Sequence, residues 1–351
     1  MTYIAKPKVH HPSLKKNALG LTRRDYEGAI TTLCAGCGHD SITAAIVQAF
    51  WELDIAPHTV AKLSGIGCSS KTPAYFLREA HGFNSVHGRM PAIATGAGCA
   101  NQTLTMIGVS GDGDSLSIGL GQLCHAIRRN VNMLYVLENN GVYGLTKGQF
   151  SASADPGSMS KKGEANTMEA IDSVLLAMTL GATFVARSFS GDKDQLVPLL
   201  KAGLAHKGFA FIDVISPCVT FNDHEGSTKS YAYTREKQVE VVQADFILPR
   251  EEITSEQAAG TAKSVMMHDG SWVTFRKVAE DYDPTDRDKA YAYIRERQKA
   301  GEVLTGLLHV STDSRDMAAQ NEIVPGPLTN LPFEQLCPGN AELGKLQARF
   351  R

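Results

Sequence analysis

The chain has 351 residues, 43% of them hydrophobic and 21% charged, with a formal net charge of −2. That is enough chain for one large α/β domain plus an extension, and the near-neutral charge gives no electrostatic case for a nucleic acid or an anionic membrane as partner. No apolar run reaches the roughly 18 residues of a membrane span, and the start MTYIAKPKVHHPSLKK lacks a secretory core and cleavage site, so a cytoplasmic protein with no membrane attachment is expected.

Taken in chain order, residues 1–28 are mixed in charge and without periodicity, which predicts an N-terminal arm. Residues 29–223 are apolar and glycine-rich and read as one domain. Within it, CAGCGHD precedes a helix predicted over 41–53. The stretches 104–110 (LTMIGVS) and 131–137 (VNMLYVL) are short, nearly continuous apolar runs, as in strands covered on both faces of a parallel sheet. Between them Leu116, Leu120, Leu123 and Ile127 fall on one face of a helix predicted over 115–129, completing a βαβ unit. A further buried strand is predicted over 209–215. After residue 223 the charge rises, giving an expected C-terminal subdomain over 224–303 with a helix over 286–302 behind Pro284. The tail, 304–351, holds Pro325, Pro327, Pro332 and Pro338 and is expected to be extended, of the kind that wraps a partner chain. The expected fold class is therefore α/β, a mainly parallel sheet flanked by helices with a C-terminal extension.

The first of the two strands ends in Gly111-Asp112-Gly113-Asp114 and the second in Glu138-Asn139-Asn140-Gly141-Val142. In a right-handed βαβ unit both carboxyl ends lie on the same sheet edge, so Asp112 and Asn140 can converge. A carboxylate and an amide oxygen are hard ligands suited to Mg²⁺, which completes its shell with phosphate oxygens. Glycines at 111 and 113 let the backbone approach a diphosphate, and the next helix offers free amides to it. Alone, GDG is a common turn; the pairing with Asn140 one crossover later points to a diphosphate–magnesium site.

Seven cysteines, an odd number, do not suggest a secreted disulfide framework. Cys34 and Cys37 form a C-x-x-C loop before a helix, Cys68 lies in GIGCSSK, and Cys218 follows a buried strand. Four thiolates from loops could hold zinc or a 4Fe–4S cluster, and spacing does not choose between them. Cys99, Cys124 and Cys337 are read as core fillers.

With both constellations in view, the chain resembles the β subunits of the 2-oxoacid:ferredoxin oxidoreductases, and most closely the 2-oxoglutarate:ferredoxin oxidoreductase (2-oxoglutarate synthase) type. The resemblance spans roughly residues 30–310 and rests on CAGCG, GCSSK, His87-Gly88-Arg89, GDGD, NNGVYGLTKGQ and Phe221-Asn222-Asp223-His224 in order. It implies a thiamine-diphosphate-binding (pyrophosphate domain) fold, with magnesium held by Asp112, Asn140 and the Val142 carbonyl. It makes Cys34, Cys37, Cys68 and Cys218 the 4Fe–4S ligands. Around the diphosphate and thiazolium it sets Ile66, Gly67, Cys68, Ser69, His87, Gly88, Arg89, Gly113, Asp114, Gly144 and Leu145. Lys71, His87 and Lys147 are its catalytic residues, with both lysines facing substrate or coenzyme A. The implied reaction decarboxylates a 2-oxoacid, passes electrons one at a time through the cluster to ferredoxin, and gives the acyl group to coenzyme A. No spare α/β domain exists here to bind the aminopyrimidine, so the resemblance implies an α subunit carrying that domain, in an αβ pair that is often doubled to (αβ)₂. Two alternatives stay open: a pyruvate:ferredoxin oxidoreductase subunit, and a non-redox thiamine enzyme whose cysteines hold structural zinc.

Overall fold

The computed structural model describes residues 11–160, 163–242, 262–266, 272–276, 282–337 and 339–350. Residues 1–10 of the expected arm, 243–261, 267–271 and 277–281 of the expected subdomain, and Pro338 of the tail lie outside the described residues. The rest of the arm lies on the first helix, α1 (Gly38–Glu52): Asn17 donates to the Trp51 carbonyl, and the Trp51 indole donates to Leu21 O.

Beyond α1 come β1 (Val60–Ser64), β2 (His81–Asn84), α2 (Met90–Ala100), β3 (Thr105–Gly111), α3 (Leu120–Arg128) and β4 (Met133–Asn139). A short hairpin follows, β5 (Val142–Tyr143) and β6 (Gln149–Phe150), then α4 (Ser173–Thr179), β7 (Phe184–Phe189), α5 (Lys193–Ala205) and β8 (Phe209–Ile215). The described remainder comprises α6 (Tyr231–Lys237), β9 (Gln238–Val242), the pair β10 (Ala262–Met266) and β11 (Trp272–Arg276), α7 (Arg287–Lys299), β12 (Val303–Val310), α8 (Met317–Gln320), α9 (Phe333–Leu336) and α10 (Gly339–Ala348). None of these helices is long and apolar enough to cross a membrane.

Eight strands form one sheet in the order β2-β1-β3-β4-β8-β7-β12-β9, with every neighbouring pair parallel except β12 and β7. The sheet is covered on both sides, which explains the unbroken apolar runs. Along β4, Met133, Tyr135 and Leu137 join the core that includes α3 and α4 residues, whereas Leu134 and Val136 join the core of α1 and α5. Period-two alternation still operates, but both faces demand apolar side chains.

Three local readings differ from the sequence expectation. The predicted helix over 115–129 opens as a π turn, Gly113–Ile118, and becomes α-helical only from Leu120. Gly119 donates to the Asp114 carbonyl five residues back, and there is no room for a side chain because Gly88 abuts it. Residues 303–310, expected to open the tail, are instead the strand β12 between β7 and β9, for Leu304 and Leu308 are fully buried. Farther on, 339–348 is a helix, not an extended stretch: the tail's prolines all lie before it, and Ala341, Glu342, Leu343 and Lys345 favour helix.

Candidate active site

The chain runs from β1 outward to β2, then returns to place β3 on the other side of β1. Strand order reverses there, and a crevice opens at the carboxyl ends of β1 and β3, where open α/β sheets bind ligands. The loops after β1, β3 and β4 enclose a cavity of about 70 Å³. Ile66, Gly67, Cys68, Ser69, His87, Gly113, Asp114, Gly144 and Leu145 of the expected cofactor shell line it, together with Asp112, Asn140 and Val142. Gly88, Arg89, Lys71 and Lys147 do not. His39, Tyr143 and Thr146, which sequence reasoning did not single out, do.

Asp112 is buried at the start of the π turn. Its Oδ2 accepts from Gly141 N at 3.0 Å, from Ser153 Oγ at 2.6 Å and from Ser151 Oγ. Its Oδ1 accepts from the Asn140 amide at 3.4 Å, its one hydrogen bond from another of the described residues. Burial pushes this carboxyl up, and the hydrogen bonds from Ser151 and Ser153 oppose that. Asn140 turns its side-chain oxygen to Val142 N at 3.1 Å, while Asn222 Nδ2 donates to its carbonyl at 2.8 Å. Gly141 between them has a φ of +75°, which glycine adopts without strain. The two strand ends thus bring Asp112 and Asn140 together.

Small residues set the walls. A Cβ on Gly113 would lie 2.5 Å from the Tyr143 ring, and one on Gly65 would collide with the Asp114 carboxylate. Asp114 is clasped in turn: Ser110 Oγ donates to its Oδ2 at 2.8 Å, Gly88 N to its Oδ1 at 2.8 Å, and His87 Nδ1 meets the same Oδ1. This carboxylate orients the half-buried His87 ring.

Four of the seven cysteines gather beside the cavity, each at the head of a turn. Cys37 N donates to Cys34 O, Lys71 N to Cys68 O, and both Phe221 N and Asn222 N to Cys218 O. A Cβ on Gly144 would lie 3.4 Å from the Cys68 sulfur and 3.6 Å from that of Cys218. Cys34 Sγ accepts from Thr220 Oγ1 at 3.7 Å, and the proximity of Cys34 adds to the upward shift of both Cys68 and Cys218. Burial pushes Cys37 up to about 12, with Glu138 and Cys218 adding to the shift. Burial also raises Cys68, against the nearby Lys71 charge. Among the described residues, no three His, Cys, Asp or Glu side chains stand close enough as placed to hold an ion. All seven thiols are free; of the three read as core fillers, Cys99 and Cys124 are half-buried and Cys337 is exposed.

Beneath the thiols lies a buried polar cluster without a motif of its own. Thr72 Oγ1 lies 3.1 and 3.0 Å from the two Glu138 carboxyl oxygens, between which its one hydrogen is shared. His39 Nδ1 sits 2.6 Å from Ser216 Oγ and 3.6 Å from Glu138 Oε2. Burial holds Glu138 well above the usual carboxylate range and lowers His39 to about 4, so the His39 ring is uncharged near pH 7 and the two form no ion pair.

A sheet reversal, a GDG turn and an Asn-Asn turn closing one small cavity define the class, a thiamine-diphosphate-binding domain. Residues 65–214 match the family described as "Thiamine pyrophosphate enzyme, C-terminal TPP binding domain". The chain is 33% identical to the 2-oxoglutarate oxidoreductase subunit KorB of Mycobacterium tuberculosis, over 89% of this chain and 86% of that one. It is 44% identical to the 2-oxoacid:ferredoxin oxidoreductase subunit beta of a Sulfolobus species, over 54% of this chain and 63% of that one. A solved structure, 2-oxoglutarate:ferredoxin oxidoreductase from Magnetococcus marinus with 2-oxoglutarate, coenzyme A and succinyl-CoA bound, superposes with a TM-score of 0.71 at 29% identity. That match covers 88% of this chain and 92% of the other. The chain belongs to the β subunits of the 2-oxoacid:ferredoxin oxidoreductases, and is thus a subunit of an oxidoreductase that works with an α chain.

Proposed function

We propose that this β subunit serves the coenzyme A-dependent oxidative decarboxylation of 2-oxoglutarate to succinyl-CoA and CO₂, or the reverse carboxylation, in a cytoplasmic (αβ)₂ complex with ferredoxin as electron partner. The observation that carries the reading is that Cys68 belongs to both constellations. It lines the cavity beside Asp112 and Asn140, and its sulfur faces the same glycine as that of Cys218.

The donor chemistry fits both absent groups. Asp112 Oδ1, the Asn140 amide oxygen and the Val142 carbonyl are hard oxygens for Mg²⁺, and Cys34, Cys37, Cys68 and Cys218 are soft ligands for a 4Fe–4S cluster. When bound, thiamine diphosphate supplies the carbon nucleophile, and the cluster supplies the outlet for electrons. The protein's share is positional. His87, held by Asp114, lines the cavity, and the open Gly67 backbone leaves room for the diphosphate. Lys71 lies near the Cys68 sulfur. Exposed Lys147 is held at φ +80°, a conformation that lysine adopts only when its surroundings impose it, and it is assigned to the distal substrate carboxylate or coenzyme A. At about 70 Å³ the cavity is well short of the ~300–1,000 Å³ of a pocket for a whole cofactor. A second chain, the α subunit with the pyrimidine-binding domain, completes it.

The test is an anaerobic assay of the αβ complex with coenzyme A and a viologen, comparing 2-oxoglutarate, pyruvate, branched 2-oxoacids and indolepyruvate, with a visible spectrum before and after dithionite. A brown, bleachable sample most active on 2-oxoglutarate is expected. Equal or greater activity on pyruvate overturns the substrate, and a colourless zinc protein overturns the redox reading.

A further inference from the structure

The bonding of Asp112 is lopsided. Among the described residues, three donors from other residues converge on Oδ2, while Oδ1 has one such contact, a long one. A buried carboxylate kept only for structure satisfies both oxygens, because each unpaired lone pair in the interior has a cost. Here one oxygen is saturated and the other left open, in a residue that lines the cavity.

Two of the three donors come from one segment, Ser151-Ala152-Ser153, directly after β6. Both serines are buried, at 7% and 2% exposure. The segment is clamped at several points: Ser151 N donates to Gly141 O at 3.2 Å, Ala152 N to Ser117 Oγ at 3.1 Å, and Ala154 N to Ser151 O at 3.1 Å. Ser153 Oγ also lies 2.9 Å from Asn139 Oδ1. One hydroxyl hydrogen serves one acceptor, and the charged oxygen at 2.6 Å takes it. Asn139 is fixed by donating to Asp213 at 3.1 Å, so Ser153 is wedged between two immobile groups.

We infer that Ser151 and Ser153 are positioning residues that hold Asp112 as a one-oxygen magnesium ligand, tying up Oδ2 and leaving Oδ1 for the ion. The inference rests on the magnesium reading proposed above. The serines touch neither the ion nor the substrate; they set where the ligand oxygen stands, and outer-shell partners of this kind typically change metal affinity about 10–100-fold.

The test is a Mg²⁺ titration at saturating thiamine diphosphate, with cofactor binding to the chelator-stripped αβ complex read by calorimetry. Wild type is compared with Ser151→Ala, Ser153→Ala, Ser153→Thr and Asp112→Ala. Each alanine variant is expected to need about tenfold or more Mg²⁺ for half-saturation while binding the cofactor fully at high Mg²⁺, and Ser153→Thr to stay near wild type. Alanine variants with wild-type Mg²⁺ dependence, beside an Asp112→Ala protein that has lost Mg²⁺-dependent binding, overturn the role of the serines and leave the magnesium reading standing. An Asp112→Ala protein with intact Mg²⁺ dependence overturns that reading and the inference together. Should an alanine variant fail to fold, Ser153→Thr decides: near-wild-type dependence supports the inference, and a tenfold shift despite the retained hydroxyl overturns it.

Discussion

Arg187 on β7 is the place where a single substitution has the most calculable effect. Its Nε donates to Asp213 Oδ2 at 2.9 Å and its Nη2 to Asp172 Oδ2 at 3.0 Å, with side-chain exposures of 9% for Arg187, 1% for Asp213 and 23% for Asp172. Asp172 also caps α4 through Leu175 N, and Asp213 holds Asn139 beside Asn140. Replacing Arg187 by Met keeps the volume and strands two carboxylates, one of them fully buried. Breaking a buried pair in this way costs about 3–5 kcal/mol. At about 2 °C per kcal/mol for a chain of this size, the melting temperature of the complex should fall by ~6–10 °C. Burial alone would raise the Asp172 carboxyl, but the Arg187 charge and the hydrogen bonds outweigh it and hold the group below its ordinary value. A carboxyl lowered on folding stabilises above its unfolded pKa of about 4 and loses that contribution as pH falls through the folded value. The gap between wild type and Arg187→Met should therefore narrow below about pH 4. Adding Asp172→Asn, which keeps the cap, should restore part of the loss. Melting curves from pH 3 to 7 provide the assay. A drop under about 2 °C at pH 7, or a gap that ignores pH, would refute the argument.

Three more outcomes follow from the site. Gly113→Ala puts a methyl into the Tyr143 ring and should destabilise by about 1–3 kcal/mol, with weaker thiamine diphosphate binding; an unchanged melting curve and binding isotherm would contradict the close approach. Glu138→Gln should cost under about 1 kcal/mol near pH 7, because burial pushes this carboxyl toward the neutral form that glutamine copies, whereas a loss above about 3 kcal/mol would mean a buried carboxylate. A carboxyl raised on folding makes wild type lose stability as pH rises above about 4.5, so the Gln variant should gain relative to it from that pH upward. Cys218→Ser should remove most of the iron and the visible absorption of the anaerobically purified complex, and a spectrum equal to wild type would remove Cys218 from the proposed ligands.

Local sequence was enough for the βαβ unit. The strand over 209–215 coincides with β8, and the runs over 104–110 and 131–137 fall within one or two residues of β3 and β4. Such runs are legible because a strand covered on both faces requires apolar side chains at every position. Asp112 and Asn140 could be paired from sequence because each sits at a strand end, and parallel neighbours deliver their ends to one edge. The cysteines could be singled out by position in their loops, but not brought together, since the Cys68 and Cys218 turns, from separate parts of the chain, meet beside Gly144, and Cys34 joins through Thr220 in the Cys218 turn.

The sequence by itself therefore determined the layered α/β fold and the chemistry at the strand ends, through short-range periodicity and turn residues. Only the tertiary structure decided the rest. A lone serine or a buried glutamate carries no motif: Ser151, Ser153 and Glu138 gain their roles from partners tens of residues away, set by how strands order in the sheet. The helix over 115–129 gave way to a π turn for the same reason, because the approach of Gly88 to Gly119 lies outside any local window. Likewise β12 was invisible beside the proline-rich tail that follows it, since what makes 303–310 a strand is a vacant position between β7 and β9.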